Sequence, residues 1–553
     1  MLTRFSHYAL SRRSKRVLLV AISTLTLTAG CVGSNSGKAP DTNNQFVKNA
    51  RLPADVDMTC TVKNNDFKKW FHGDEVIANG AVKAADSTAR KFADFDDNTR
   101  CDFYRWGAQM FLWMTSANEN YHVFNTPPQF YDVSVESDNK REFIASNGTV
   151  AIGFRVGKGD ETIELGQAGE DDVLLSQKES LVYYSIYAND AFAMYRTGVA
   201  IKNGDTSLIN KLPSALQREI KPLAATLPKE FPSTALQMLD LDALSSIYGR
   251  ELVDPKTMIL ELKISWVDAD TVTDRDDYII TQATVPIFDR TKDPKKWKYS
   301  GKTETKTLAM VGFHIGGTVE GHPEMIWSTF EHVKNQPNNS YDYYVDEKRK
   351  ITSKQSFNAA GDWIFFPDNG TRPAQISANA TAQNIEKSTV TTAIVSKGSD
   401  PIGPVDVYGV NPWGNVQNRA DLKDETLANN TDLASINKSV LSQLAEGDIR
   451  GNYVQVGGIW SAEGQIPGGY PVMFPPSNDN DPTNTYFRGS LFLANTTMET
   501  FYQYQTDIDG AVYHANCFSC HNSGSNEPDK AVPTKVSHIF DALQPLKSPL
   551  AKQ

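Results

Sequence analysis

The chain has 553 residues, more than the roughly 250–300 that one hydrophobic core supports, so two or more packed units are expected. With 40% apolar, 10% aromatic and 22% charged residues, it is neither disordered, fibrous nor disulfide-dense. A formal charge of −11 at pH 7 argues against a nucleic-acid partner.

At the N-terminus, Arg4, Arg12, Arg13, Lys15 and Arg16 precede an apolar run from Val17 to Thr28 and then Ala29-Gly30-Cys31. This pattern reads as a signal peptide over 1–30, and the run is too short to span a bilayer uncut. Small residues before a cysteine resemble a lipobox, which makes Cys31 the expected acylated residue; the alternatives are a plain signal peptide or a signal anchor. Removing the five basic residues leaves 50 of the 55 Lys and Arg against 66 Asp and Glu. Residues 31–50 are rich in Ser, Gly, Asn and Pro and read as a flexible tether. An envelope location with the body outside the cytoplasm follows, and Val32 after the anchor favours the outer membrane over the inner.

The body divides into a mixed helical and strand region (51–250), a β-rich region (251–485) and a C-terminal region (486–553). Helical periodicity covers 66–84 and 99–116, the latter apolar nearly all round in its second half and so a buried helix. Glu142 to Leu165 alternates like strand, and 206–248 returns to helices punctuated by Pro222, Pro228 and Pro232. Met258–Trp266, Asp277–Phe288 and Lys306–Ile315 alternate as strands of a barrel-like or sheet core. Residues 366–380 and 398–432 read as loops, Ala434–Leu444 as helix, Tyr453–Trp460 as strand and Phe487–Tyr504 as helix. The fold class is therefore α+β, with a strand-rich body, packed helices and a C-terminal helical segment.

The segment from Gly312 to His332 holds His314, His322 and His332 together with Glu320, Glu324 and Glu331. Such a concentration can hold a metal or perform acid–base work, yet no spacing matches a metal helix such as H-E-x-x-H. A structural cluster is the competing reading. If the segment acts chemically, His314, His322, Glu331 and His332 are the candidate catalytic residues, with His314 and His332 facing the pocket.

Five cysteines are present, and Cys60 and Cys101 are expected to pair in an exported chain. With Cys31 assigned to lipid, the remaining two lie in Cys517-Phe518-Ser519-Cys520-His521, the C-x-x-C-H form of c-type haem attachment. Cysteines three apart on a helical turn aim both sulfurs at the vinyl edge of one porphyrin, and the next residue points its imidazole at the iron. Cys517 and Cys520 are thus the expected tethers of one haem c, with His521 the proximal iron ligand. A thioredoxin-like C-x-x-C would open a compact α/β unit, and a zinc site would need a second ligand pair that the sequence lacks.

In the small cytochrome c module a Met follows the motif, but no Met follows His521. That module is not present in its usual order. His538 is the leading distal ligand, giving a bis-His iron suited to electron transfer. Its rivals are Met473, Met498, a histidine of the central region or no protein ligand, and Met498 reads better as a core side chain.

Three patches resemble a group of large bacterial single-haem proteins of the cytochrome c family with a C-terminal C-x-x-C-H. They are the stretch ending W-S-T-F-E-H at His332, Leu493–Gln503, and Cys517–His521 followed by Ser537-His538. The resemblance implies haem binding and electron transfer with a redox partner protein or a small electron donor or acceptor. Two other functions remain open: a haem-dependent oxidoreductase using the His314–His332 segment, and a non-enzymatic haem sensor or partner-binding lipoprotein.

Overall fold

The computed structural model describes residues 45–49, 51–89 and 100–547, apart from 119–120, 135, 138–139, 147–148, 151, 153, 156–161, 164–171, 368–384, 388–392, 397–399, 408, 410–411, 415–422, 462–463, 469–486, 491–492, 500–504, 507–511, 514–516 and 528. The expected signal peptide, Cys31 and Met473 lie outside these residues. Residues 39–553 form one compact unit.

Its frame is an antiparallel sheet, 12-stranded among the described residues. The principal strands are β1 (Phe130–Asp132), β2 (Ile144–Ala145), β3 (Tyr183–Asn189), β4 (Leu260–Asp268), β5 (Ile280–Asp289), β6 (Lys296–Val319), β7 (His322–His332), β8 (Tyr453–Ser461) and β9 (Phe487–Gly489). They run β9-β8-β7-β6-β4-β3-β1-β2, with β5 pairing β6 off this path. All three regions expected from the sequence contribute strands, and the fold is α+β.

The helices are α1 (Asn64–Trp70), α2 (Arg100–Met114), α3 (Asp190–Lys202), α4 (Ser214–Thr226), α5 (Ala235–Ile247), α6 (Lys423–Leu441) and the single turn α7 (Cys517–Cys520). Among the described residues no helix is long and apolar enough to cross a membrane. Helix α3 opens on Asn189, whose side chain accepts from the Phe192 amide, and α5 opens on a capping box between Thr234 and Gln237.

Strand alternation separates two cores. Leu260, Leu262, Ile264, Phe313, Ile315, Ile326 and Phe330 turn to one face, where they pack with Phe111 and Met114 of α2 and Ile436 and Leu441 of α6. On the opposite face, Met325, Trp327 and Ile459 pack with Phe192, Leu241 and Leu244 of the α3–α5 layer and with Phe518, Val536 and Phe540. One sheet covered on both faces therefore accommodates a length that a single core could not.

Several elements depart from the sequence reading. The helix expected over 66–84 stops at Trp70, where Phe71 is extended and pairs with Val82. The loop expected to run to 432 is helical from Lys423, since the polar residues of α6 find partners inside the fold: Asn429 donates to the Trp413 carbonyl, Asn430 to the Asp342 carbonyl, and Thr431 to the Leu427 carbonyl. Of the helix expected over Phe487–Tyr504, residues Phe487–Gly489 are instead strand β9 on β8, and 493–499 are non-helical, with a turn at 496–498. There the Asn495 side chain accepts from the Thr497 amide and donates to the Phe330 carbonyl, a local alternative to helical bonding. Met498 is buried with Val182, Tyr184 and Val311 in a third small core.

Candidate functional site

The site lies on the α3–α5 side of the sheet, where polar residues alternate out of three neighbouring strands. The sequence Leu260-Glu261-Leu262-Lys263-Ile264-Ser265 sends its leucines and isoleucine to one core and Glu261, Lys263 and Ser265 to the other side. Lys263 is registered opposite His314 of β6, and His314 opposite Thr329 of β7. Trp327 is registered opposite Gly316, where a Cβ would fall 2.7 Å from the indole, so the glycine makes room for that ring.

Two segments cover this surface. Residues 495–499 are held by Asn495 Nδ2 on Thr329 Oγ1 (3.0 Å), Ser265 Oγ beside Thr497 Oγ1 (2.6 Å) and the Thr496 amide donating to Glu331 Oε2 (2.6 Å). The C-terminal segment is fastened by the Ser537 hydroxyl on the Glu261 carboxyl and by Phe518, Val536 and Phe540 in the core.

Helix α7 is one turn, completed where the His521 amide donates to the Cys517 carbonyl at 2.8 Å. His521 Nδ1 lies 2.7 Å from the Val536 carbonyl oxygen. A carbonyl only accepts, so Nδ1 carries the hydrogen and Nε2 keeps its lone pair for a metal. Burial pushes the imidazole well below its ordinary range, with His538 adding to the shift, which favours the same neutral form. Cys517 is half-buried against the core beside it; the Cys520 side chain lies outside the described set.

These residues fit a covalent haem. A one-turn helix brings Cys517 and His521 to the same side, and the Val536 carbonyl fixes the imidazole in the ligating tautomer. Haem, when bound, supplies a one-electron iron couple. His521 would hold the iron, and Val536 orients the ring that does so.

The His538 ring stacks on His521 with centroids 3.8 Å apart and planes 4° from parallel, while the residue remains exposed. Trp327 lies 4.2 Å from His521 on its core side, and His314 lies 5.3 Å beyond Trp327. The four rings thus form a row from the exposed His538 through His521 and the buried Trp327 to the partly exposed His314. At the His314 end, His314 Nδ1 is 3.3 Å from Glu499 Oε1, and Glu499 Oε2 accepts from the Asn495 amide at 2.7 Å.

The histidine-rich hairpin is divided by strand parity. His314 faces the C-x-x-C-H segment, whereas His322 and His332 point to the other side of the sheet. His322 Nδ1 is 2.8 Å from Glu324 Oε1, and its ring lies 5.2 Å from Phe103. His332 stacks on Tyr278 at 3.9 Å, and burial pushes it down to about 3. Glu331 pairs with Arg51 at 2.6 Å, both buried. The four candidates taken together from sequence do not form one pocket: His314 alone joins the His521 neighbourhood, and Glu331 touches it through the Thr496 amide. Sequence reasoning did not single out Lys263, Trp327, Glu499 or Val536. For Lys263 the alternation of Leu260–Ser265 carried a signal; for Glu499 and Val536 only the folded chain brings the residue close.

Cys60 and Cys101 are joined by a disulfide. Their sulfurs lie within 4.8 Å of an Asp432 oxygen, but a disulfide leaves no thiolate for a metal. Comparison with protein-family models, curated proteins and solved structures finds no match to this chain.

Proposed function

We propose that the chain is an exported, lipid-anchored electron-transfer protein carrying one haem c, tethered by Cys517 and Cys520 and ligated through His521. The observation that carries this reading is the 2.7 Å contact from His521 Nδ1 to the Val536 carbonyl, directly after the C-x-x-C-H turn. It leaves Nε2 as the available donor, which is what a proximal haem ligand requires. Electrons would pass to a redox partner protein or a small donor or acceptor, and the lipid on Cys31 would hold the protein to the envelope, with the outer membrane favoured.

His538 is the proposed second ligand, since it is already beside His521. Its ring lies flat on the other imidazole, so the two rings would have to part for both to hold the iron. Mass spectrometry of the exported chain tests the central claim: one added haem and an acylated Cys31 are expected, and the haem mass is lost in Cys517→Ala/Cys520→Ala. A His538→Ala variant that keeps an unchanged six-coordinate spectrum eliminates His538 as ligand.

A second reading, a haem-dependent oxidoreductase, is favoured by the His314–Glu499 contact near His521. Rapid carbon monoxide binding by the reduced protein would favour it over the bis-His relay; an inert low-spin spectrum would count against it.

A further inference from the structure

Glu499 and His314 form an acid–base pair next to the ring ladder that ends at His521, and neither serves as tether or ligand in the reading above. Their side chains are 16% and 14% exposed, so the pair is largely desolvated yet open to solvent protons. The ionisable groups that face it come from every neighbouring element. Lys263 on β4 is registered opposite His314, Glu331 on β7 is held by Arg51, and His521 and His538 approach from the C-terminal segment.

We propose that Glu499, backed by His314, is the group that takes up one proton when the protein takes up one electron. The inference rests on the haem reading. An external one-electron reductant delivers the electron to ferric iron, and the Glu499 carboxylate accepts a proton from water, forming an O–H bond. On reoxidation by a one-electron acceptor that bond breaks and the proton returns to solvent. Positive charge at the oxidised iron favours the carboxylate, and losing that charge favours the acid; the two binding events reinforce each other reciprocally. The resting electrostatics suit this role. Burial, with the Glu331 charge adding to it, pushes the Glu499 carboxyl up to about 8, and burial with Lys263 pushes His314 down to about 3, so of the two groups the carboxyl is the one that binds and releases the proton.

The test is potentiometry of the haem-bearing full chain between pH 5.5 and 9, with infrared redox-difference spectra of carbon-13 glutamate-labelled protein. The midpoint potential is expected to fall with pH by up to about 59 mV per unit, the tenfold change in proton activity converted for a one-electron couple. A glutamic-acid carbonyl band is expected to grow on reduction. Both are expected to vanish in Glu499→Gln. A slope that persists unchanged in that variant overturns the proposal by assigning the proton elsewhere. If the variant does not fold, the labelled natural chain decides, since absence of the band overturns the proposal. A chain without haem by mass defeats the haem reading separately. In that case infrared pH titration still decides whether Glu499 holds a proton: no glutamic acid surviving above pH 6.5 overturns it.

Discussion

Arg51 and Glu331 sit 2.6 Å apart with their side chains 3% and 0% exposed, a charge pair drawn from residues 280 positions apart in sequence. Removing one partner of such a pair leaves the other charged and buried, at a cost of about 3–5 kcal/mol. Arg51→Ala is expected to lose that much in urea denaturation, and more than Arg51→Ala paired with Glu331→Gln. Because the other Glu331 oxygen accepts from the Thr496 amide, the single variant also loosens the segment carrying Glu499. At this scale the role proposed for His521 rests on sequence, on its covalent spacing to Cys517 and Cys520. His322 and His332 were not separable from His314 by counting residues. The turn at Glu320-Gly321, with Gly321 in the left-handed region at φ 86°, sets the parity that sends them to the opposite face.

Among elements, the β6–β7 hairpin is the platform of the site, and its fit to residues 495–499 depends on close approach. A Cβ on Gly312 would fall 2.5 Å from Ser265 Oγ and from Thr497 Oγ1, and 3.0 Å from Asn495 Oδ1. Gly312→Ala is expected to destabilise by about 1–3 kcal/mol, as overpacked sites do. It should also lift the 495–499 segment, so that infrared titration finds Glu499 ionising closer to an ordinary glutamate as water enters. The helix expected over Phe487–Tyr504 shows the limit of periodicity. Its apolar spacing fits a helix, but pairing of Phe487–Gly489 with β8 and the side-chain bonds of Asn495 satisfy the same backbone another way. The buried polar turns of α6 err in the opposite direction: an Asn- and Thr-rich stretch looks like loop until its carbonyl partners are known.

For the molecule as a whole, the Cys60–Cys101 disulfide fastens the N-terminal segment to α2, and the Cys60 amide donates to Ser435 Oγ of α6. It closes a loop with a sequence separation of 41. Loop entropy gives such a bond roughly 4 kcal/mol, so Cys60→Ala/Cys101→Ala is expected to lower the unfolding free energy by up to about that amount without rearranging the sheet. Stability should also pass through a maximum with pH in the haem-free chain. Burial raises Glu261 to about 7 and Glu499 to about 8 from 4.5, and Asp190 to about 7 from 3.8; each contribution is full below the unfolded value and lost as pH rises to the folded one. Burial lowers His314 and His332 to about 3 from 6.5, and their contribution is full above 6.5 and lost on descent. Between pH 6.5 and 8 only the carboxyl arm acts, so the urea midpoint is expected to fall there; a flat or rising midpoint across that window contradicts the assignment.

The sequence by itself determined the α+β class, the central strands around Leu260–Trp266 and Tyr453–Trp460, and a C-x-x-C-H turn whose chemistry is local. These follow from periodicity and from bonds between near neighbours in the chain. Only the tertiary structure decided what surrounds that turn. The Val536 carbonyl on His521, Trp327 at 4.2 Å and the His314–Glu499 pair come together through strand register and the packing of a returning C-terminal segment. Such contacts depend on which face each strand buries, a choice made when the two cores form on opposite sides of one sheet.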